Sequence, residues 1–286
     1  MSDELRSGFV TLVGRPNVGK STLVNRIVGT KVSIVSDKVQ TTRSPVRGIL
    51  DRSDAQVVFV DTPGVHTPRG PLGRRLHEVA TESISGVDVV CLVLDATARL
   101  GGGDRFVADQ VPAGAVVVVN KVDRASRRQV LEQLAAAGEL GLSEYFPVSA
   151  LTGEGVDDLV DGLVRRLPQG PAYYPRGEVS DVPEAVWVAE LVREQLLAVL
   201  RDELPHALAT RVTEWDWPRV RCEILVQRPS QKGIVIGRGG GVLKVVGTAV
   251  RAQMAPGAYL ELTVKVDRDW PLRPPSWLEE PAEGPA

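Results

Sequence analysis

Continuous apolar runs punctuate the first 167 residues at 9–13 (FVTLV), 57–60 (VVFV), 88–94 (DVVCLVL), 115–119 (AVVVV) and 145–148 (YFPV). Runs this rich in valine, without polar alternation, predict strands buried on both faces. The stretches between them are long enough for crossover helices, the first at 20–28. The pattern implies an α/β, doubly wound domain with a mostly parallel sheet. Residues 168–183 (PQGPAYYPRGEVSDVP) carry four prolines and read as a linker.

Beyond that segment the periodicity changes. Residues 184–201 (EAVWVAELVREQLLAVLR) repeat with a helical period, and 208–215 and 219–226 alternate as strands do. A strand-like apolar run (IVI, 234–236) then leads into a glycine loop, followed by a helix at about 241–254 and a strand at 258–266. Trp215 and Trp217 fall on one side of an alternating stretch, where packing in a core or at a domain interface is expected. This is a small α+β domain. The organisation drawn from these patterns is a first domain at 1–168, a linker at 169–183, a second domain at 184–270 and a disordered Pro/Glu-rich tail at 271–286.

Composition narrows the class without changing that outline. A chain of 286 residues favours two domains, and 43% hydrophobic with 24% charged residues is ordinary for a soluble globular protein. No run approaches the roughly 18 apolar residues of a membrane span. The polar, acidic start MSDELRSG is no signal peptide. Cys91 and Cys222, far apart in apolar segments, read as buried reduced thiols. The three histidines (His66, His77, His206) show no metal-ligand spacing, so zinc is not expected. Charge is uneven. Residues 219–268 hold nine Lys/Arg against three Asp/Glu, a local +6, which leaves −8 for the rest of a chain whose net charge is −2. Such asymmetry accompanies a nucleic-acid face.

The chemistry begins with GRPNVGKS at 14–21, which fits G-x-x-x-x-G-K-[ST] between a strand and a helix. Backbone N–H groups of such a loop wrap phosphates at a positive helix end. The phosphate-binding candidates are Gly14, Arg15, Pro16, Asn17, Val18, Gly19, Lys20, Ser21 and Thr22, with Lys20 reaching the β- and γ-phosphates and Ser21 offering a hydroxyl to Mg²⁺. Asp61-Thr62-Pro63-Gly64 closes the strand at 57–60. Its aspartate is suited to Mg²⁺ and the Gly64 N–H to a γ-phosphate. Gln40, Thr41, Thr42 and Arg43 form a mobile segment whose threonine serves Mg²⁺ and γ-phosphate, so the metal candidates are Ser21, Thr42 and Asp61, and Gln40, Thr41, Thr42, Asp61, Thr62, Pro63 and Gly64 form the switch. Asn120-Lys121-Val122-Asp123 and Ser149-Ala150-Leu151 follow two further strands, where ligands bind in open α/β sheets.

In this order the boxes resemble those of translation-factor-type GTPases. The resemblance assigns Asp123 to the guanine N1–H and N2–H₂, Asn120 to N7, Lys121 to the base face and the Ala150 N–H to O6, with Ser149 and Leu151 alongside. Val65 stands where Ras-like proteins carry a water-orienting glutamine. His66 is a candidate substitute, set against an ordinary loop histidine. Asn17 is a candidate K⁺ ligand near the β,γ bridge, set against a loop-capping asparagine. Slow intrinsic hydrolysis of GTP by water is expected.

Gly237-Arg238-Gly239-Gly240 is a GxxG loop of the KH kind, which clamps about four nucleotides of backbone. Glycines permit close approach to sugar-phosphates, and Arg238, Lys232 and Lys244 add charge. No Lys-Ser/Thr follows the loop, which excludes a second mononucleotide site. The missing aromatic platform speaks against an RRM.

Together GRPNVGKSTLVNRIVG, QTTR, DTPGVH, NKVD, VSALTGEGVDDL, VREQLL…ELPHA, VIGRGGGVLKVVG and LTVKVDRDW resemble the Era family of bacterial ribosome-assembly GTPases across roughly residues 8–270. The resemblance implies a P-loop GTPase domain followed by a type II KH domain, and binding to the 3′ end of 16S rRNA during 30S subunit maturation. It further implies a cytoplasmic monomer with a peripheral inner-membrane fraction, and a gate in which GTP orders the segment around 36–48 and frees the KH face for RNA. The triple glycine 239–241 and the Pro/Glu-rich rather than basic tail depart from the family pattern. Two other readings stand beside it. One is a GTP-gated RNA placeholder without meaningful turnover; the other is a tRNA-directed GTPase, which would need an inserted helical domain or a reactive cysteine in the first half.

Overall fold

The computed structural model describes residues 5–38, 41–65, 70–142, 144–201, 204 and 207–273. Most of the tail expected to be disordered, from residue 274 on, lies outside them, as do Gln40 and His66. The chain forms two compact units, Met1–Asp181 and Val182–Ala286.

In the first unit, β1 (Arg6–Val13), α1 (Lys20–Val28), β2 (Val46–Asp51), β3 (Ala55–Asp61), α2 (Gly70–Glu82), β4 (Val89–Asp95), α3 (Gly102–Ala108), β5 (Val116–Asn120), α4 (Arg127–Gly138), β6 (Glu144–Pro147) and α5 (Val156–Arg166) follow in order. The sheet runs β2-β3-β1-β4-β5-β6. All neighbours are parallel except β2, which pairs antiparallel with β3. Alternate residues of the valine runs feed two cores. Val10, Leu12, Val57, Phe59, Val116 and Val118 pack with residues of α1 and α5 on one face. Val90, Leu92, Leu94, Val117 and Val119 pack with Ala80, Val107 and Ala137 of α2, α3 and α4 on the other. Burial on both faces is why these strands lack polar alternation.

The edge strand β2 (VRGILD) has no counterpart among the apolar runs of the sequence. Its Arg47 and Asp51 are partly or fully exposed, and charged residues are what an edge strand carries. Residues 169–181, linker-like in composition, lie along this edge. The Ile49 N–H donates to Val179 O at 2.9 Å, and Ser180 Oγ donates to Arg47 O at 2.8 Å. Gln56, fully buried, accepts from the Tyr173 and Tyr174 N–H groups (2.8 and 3.0 Å) and donates to Tyr174 O at 2.9 Å.

The second unit comprises α6 (Glu184–Val199), β7 (Leu208–Asp216), β8 (Arg219–Val226), α7 (Pro229–Ile236), α8 (Gly241–Arg251) and β9 (Tyr259–Val266). The sheet runs β7-β8-β9, with the first pair antiparallel and the second parallel. The three helices and one sheet face share a core that includes Val192, Leu196, Cys222, Ile224, Val235, Val246 and Val250. The run expected to be strand-like before the glycine loop is the end of helix α7. Pro229 starts that helix at a position where its missing N–H costs nothing, and Gln231 Oε1 accepts from the Arg228 N–H at 2.9 Å. By length and composition Pro229–Arg251 matches a membrane-crossing helix. The backbone breaks it, with positive φ at Gly237, Gly239 and Gly240.

Trp215 and Trp217 do not pack in the core, the first of the two places expected for them. They are 37% and 48% exposed, with ring centroids 6.4 Å apart. A register slip between Val212 and Glu214 precedes them, and they stand at the hairpin tip, where the core of the unit has run out.

Both cysteines are buried, and burial raises both thiols, Cys91 to about 12. At pH 8 almost no thiolate exists at either position. Titration of the native protein with an aromatic disulfide reagent at pH 8 is therefore expected to release no colour over an hour, and two equivalents after denaturation. Fast reaction of Cys91 in the native state would contradict its burial and reopen the reading that needs a reactive cysteine.

Candidate functional site

Five parallel strands of the first unit, β1, β3, β4, β5 and β6, deliver their C-terminal ends to one place. The loop after β1 turns sharply into α1, and its glycines are dictated by space. A Cβ on Gly14 would come within 2.5 Å of Val93 O, and one on Gly19 within 2.3 Å of Asn120 Nδ2. Gly19 also holds φ +99°, a left-handed conformation costly for any side chain. Asn17 adopts φ 63° and donates through Nδ2 to Asp37 O at 2.7 Å. Lys20, buried, donates to Gly14 O and Arg15 O at 3.3 and 3.2 Å. The ammonium thus sits inside its own loop, where phosphate oxygens would replace the carbonyls. Burial lowers its pKa to about 8, against the opposing pull of Asp61. Arg15 points outward to Asp104 at 3.0 Å.

Asp61 ends β3 with no exposed surface. Its Oδ2 accepts from Ser33 Oγ at 2.6 Å and from Thr42 Oγ1 at 3.4 Å, and Thr42 Oγ1 lies 3.2 Å from Ser21 Oγ. Its Oδ1 has no hydrogen-bond partner among the described atoms. Burial raises its pKa, while Lys20 and the hydroxyls of Ser21, Ser33 and Thr42 act against that rise. Ser21, Thr42 and Asp61, drawn from three segments, are therefore brought together. Two hydroxyls and an unmet carboxylate oxygen are hard oxygen donors of the sort Mg²⁺ takes. Among the described residues no group of three or more His, Cys, Asp or Glu is placed to hold a metal ion.

Thr62 Oγ1 donates to Leu12 O at 2.7 Å, which fixes the start of the 61–64 turn. Gly64 lies against the phosphate loop, where a Cβ would meet Pro16 N at 2.7 Å. Val65, buried, donates its N–H to Gly14 O at 3.0 Å and packs in the core. The residue after the DxxG box thus serves packing and offers no polar group to water. Thr41 Oγ1 donates to Lys38 O at 2.7 Å.

The base-side residues form one hydrogen-bonded set. Asn120 Nδ2 donates to Val18 O at 2.9 Å, and its Oδ1 accepts from the Ala150 N–H at 2.9 Å. One buried amide thereby ties the phosphate loop to the 149–151 loop. Lys121 (φ 69°) donates to Asn17 O and to Asp95 Oδ2, each at 2.6 Å. Burial pushes the Asp95 carboxyl up, but hydrogen bonds from Lys121 and Thr97 hold it below the usual range. Ser149 Oγ donates to Asp123 Oδ1 at 2.6 Å, and Leu151 is exposed. A cleft of ≈ 330 Å³ opens here, lined by Asn17, Lys20, Ser21, Thr42, Gly64 and Lys121 among others. Sequence reasoning missed Ser33 and Asp95, and also Arg124, which lines the cleft beside Lys121. Asp95 closes strand β4, the position that marked the other boxes; Ser33 carries no signal of its own.

In the second unit, Gly237 is closed off by Val242, whose N would lie 2.8 Å from a Cβ. Gly239 and Gly240 face open space. Arg238, Lys232 and Lys244 are exposed. The local +6 divides in a way the sequence does not reveal. Arg219, Arg221 and Lys265 are engaged on the sheet with Glu261, Glu214 and Glu223. Arg228, Lys232, Arg238, Lys244 and Arg251 are exposed on α7, α8 and the loops at their ends.

These features define a P-loop GTPase whose chain also carries a KH domain. Family models agree: that of the 50S ribosome-binding GTPase matches residues 9–121, and that of the KH domain matches 203–271. The chain is 48% identical to GTPase Era of Mycobacterium avium over 290 residues, covering 95% of this chain and 97% of the relative. It is likewise 48% identical to GTPase Era of Mycobacterium tuberculosis over 291 residues, with the same coverage. Among solved structures it resembles Era in complex with MgGDPNP and nucleotides 1506–1542 of 16S ribosomal RNA (TM-score 0.88, 35% identity, 94% and 96% of the two chains). It also resembles a single-substitution variant of Aquifex aeolicus Era bound to GDP·AlF4⁻ (TM-score 0.88, 36% identity, 94% and 96%). The chain belongs to the Era family of GTPases. It hydrolyses GTP.

Gly64 gives the sharpest test of the phosphate side. A methyl at this position collides with the Pro16 backbone, which cannot yield as a flexible side chain would. Gly64→Ala is expected to lower GTP turnover by about tenfold or more, because the γ-phosphate contact expected of this amide would exist only in the triphosphate state. GDP affinity should change by less than about twofold, since the diphosphate is expected on the 14–22 loop. Single-turnover hydrolysis and GDP titration check it. An equal loss in both would show that residue 64 acts on the loop as a whole.

Proposed function

We propose that this protein is a GTP-driven switch that binds the 3′ end of 16S rRNA through residues 184–270 and assists 30S subunit biogenesis. The observation that carries the reading is the presence, in one chain, of an enclosed phosphate loop around buried Lys20 and an open, cation-flanked GxxG loop at 237–240. It is supported by the relative solved with MgGDPNP and a 16S rRNA segment.

In this reading the amides of residues 14–20 and Lys20 hold the phosphates, and Ser21, Thr42 and Asp61 hold Mg²⁺. The metal, when bound, spreads the charge of the β,γ-phosphate oxygens. Asn120, Lys121, Asp123, Ser149, Ala150 and Leu151 hold guanine. Gln40–Thr42 and Asp61–Gly64 form the switch. Thr42 reports the nucleotide, because its hydroxyl sits between Ser21 and Asp61. Arg238 and the flanking Lys232 and Lys244 hold the RNA backbone, with Gly237, Gly239 and Gly240 allowing its approach. The protein acts as a cytoplasmic monomer, with a minor peripheral membrane fraction.

The test is binding of a labelled 16S 3′-end oligonucleotide in the presence of a non-hydrolysable GTP analogue and of GDP. Tighter binding with the analogue, and loss of at least about tenfold in a variant with Arg238→Asp and Gly239→Asp, is expected. Equal binding in both nucleotide states would refute the gate, and hydrolysis unaffected by the RNA would favour a placeholder without functional turnover.

Asn17 is assigned to K⁺. Its Nδ2 donates to Asp37 O, which leaves the amide oxygen as the atom that would meet a cation. Replacing Na⁺ by K⁺ should accelerate hydrolysis several-fold, comparable to one added transition-state charge contact in a partly exposed site. Asn17→Ala should abolish the difference; K⁺ stimulation that survives the substitution would remove Asn17 from this role.

A further inference from the structure

Arg26, in the last turn of α1, is absent from every box of the nucleotide site. Its Nε donates to Ala150 O at 3.1 Å, and its Nη2 donates to Leu151 O. The same helix end carries Asn25, whose Oδ1 accepts from the Val32 and Ser33 N–H groups (both 2.9 Å) while its Nδ2 donates to Ser33 O at 2.8 Å. Adjacent residues of the phosphate-binding helix therefore grip two different loops. One is the segment leading toward the switch; the other is the loop assigned to guanine.

Peptide planes are rigid units, so fixing a carbonyl fixes the amide bonded to it. The plane that carries the Ala150 N–H also carries Ser149 O, and that oxygen accepts from the Gly153 N–H at 2.8 Å. The two following planes carry Ala150 O and Leu151 O, and both are met by the guanidinium. A planar fork of donors holds two neighbouring carbonyls in one geometry, which a single ammonium cannot do.

We propose that Arg26 is a positioning residue for base selection: together with Asn120, whose Oδ1 accepts from the Ala150 N–H at 2.9 Å, it holds the 149–152 backbone where that N–H can be passed to the guanine O6. The inference rests on the assignment of that N–H to O6. It predicts an effect confined to nucleotides that carry the oxygen.

The test uses the full-length protein and measures dissociation constants for GDP, IDP and 2-aminopurine riboside diphosphate. IDP retains O6 and the N1–H and lacks the 2-amino group; the aminopurine analogue keeps the 2-amino group and lacks O6 and, with it, the N1–H. Arg26→Ala is expected to weaken GDP and IDP by roughly fivefold, the scale of charge-assisted hydrogen bonds discounted for exposure. Binding of the aminopurine analogue should be nearly unchanged. Arg26→Lys, able to reach one carbonyl, should recover part of the loss. Equal weakening of all three nucleotides would show general loosening of the loop and overturn the proposal, as would no weakening of any. Wild-type protein that binds the aminopurine analogue as tightly as GDP would instead sink the assignment of Ala150 to O6, and the proposal with it. Thermal midpoints of the nucleotide-free variants separate these outcomes from failure to fold.

Discussion

A carboxylate with no access to water is the constraint around which the nucleotide site is built. Asp61 ends a strand buried on both sides, and an isolated ionised carboxyl there would cost several kcal/mol. Three other segments supply compensation: Lys20 by charge, Ser33 and Thr42 by hydroxyl donors. Each partner lies on a different loop, so satisfying one buried charge gathers the phosphate loop, the segment after α1 and the switch threonine. Compensation stops short, however, since Oδ1 is left without a partner among the described atoms. A buried acceptor left unmet costs about 1–3 kcal/mol. That oxygen is a hard acceptor placed where a hard cation or its water would fit.

A second buried polar residue does comparable work at the other end of the same strand, β3. Gln56 faces residues 173 and 174, and all three of its hydrogen bonds go to their backbone. This fastens a segment whose proline content suggests a free connector. The strap in turn covers β2, whose exposed N–H and C=O groups would otherwise invite pairing with another chain. Charged contacts complete it: Arg47 reaches Asp181 at 2.7 Å, and Tyr174 donates to the same carboxylate oxygen at 2.8 Å.

How much of this was legible in the sequence depended on the kind of signal. Strands buried on both faces announce themselves by unbroken valine, and the boxes of the site follow at their ends, so Lys20, Asp61, Asn120 and Asp123 were legible from spacing alone. Edge strand β2 was not, because charge and a glycine interrupt its pattern. Helix α7 was hidden by IVI, three apolar residues that serve a strand or a helix equally well, although Pro229 and Gln231 marked its start. The tryptophans misled for a different reason: alternation says which side a residue faces, not whether anything covers it. Asn25, Arg26 and Ser33 had no sequence signal because their partners are brought near only by folding, and most of those partners are backbone atoms of loops.

The two glycine loops use one backbone freedom for opposite ends. At Gly19 the left-handed conformation and the missing Cβ let Asn120 close over the phosphate loop, so glycine there encloses a site whose lysine is already desolvated. Charge in such a pocket acts at low effective dielectric and suits one compact, highly charged ligand. At Gly239 and Gly240 the same conformations face open space, and the cations around them are solvated. Screening makes each of those cations weak individually, so binding must come from several spaced contacts along an extended polyanion. Glycine alone does not distinguish a mononucleotide loop from a polynucleotide loop; the burial of the neighbouring charge does.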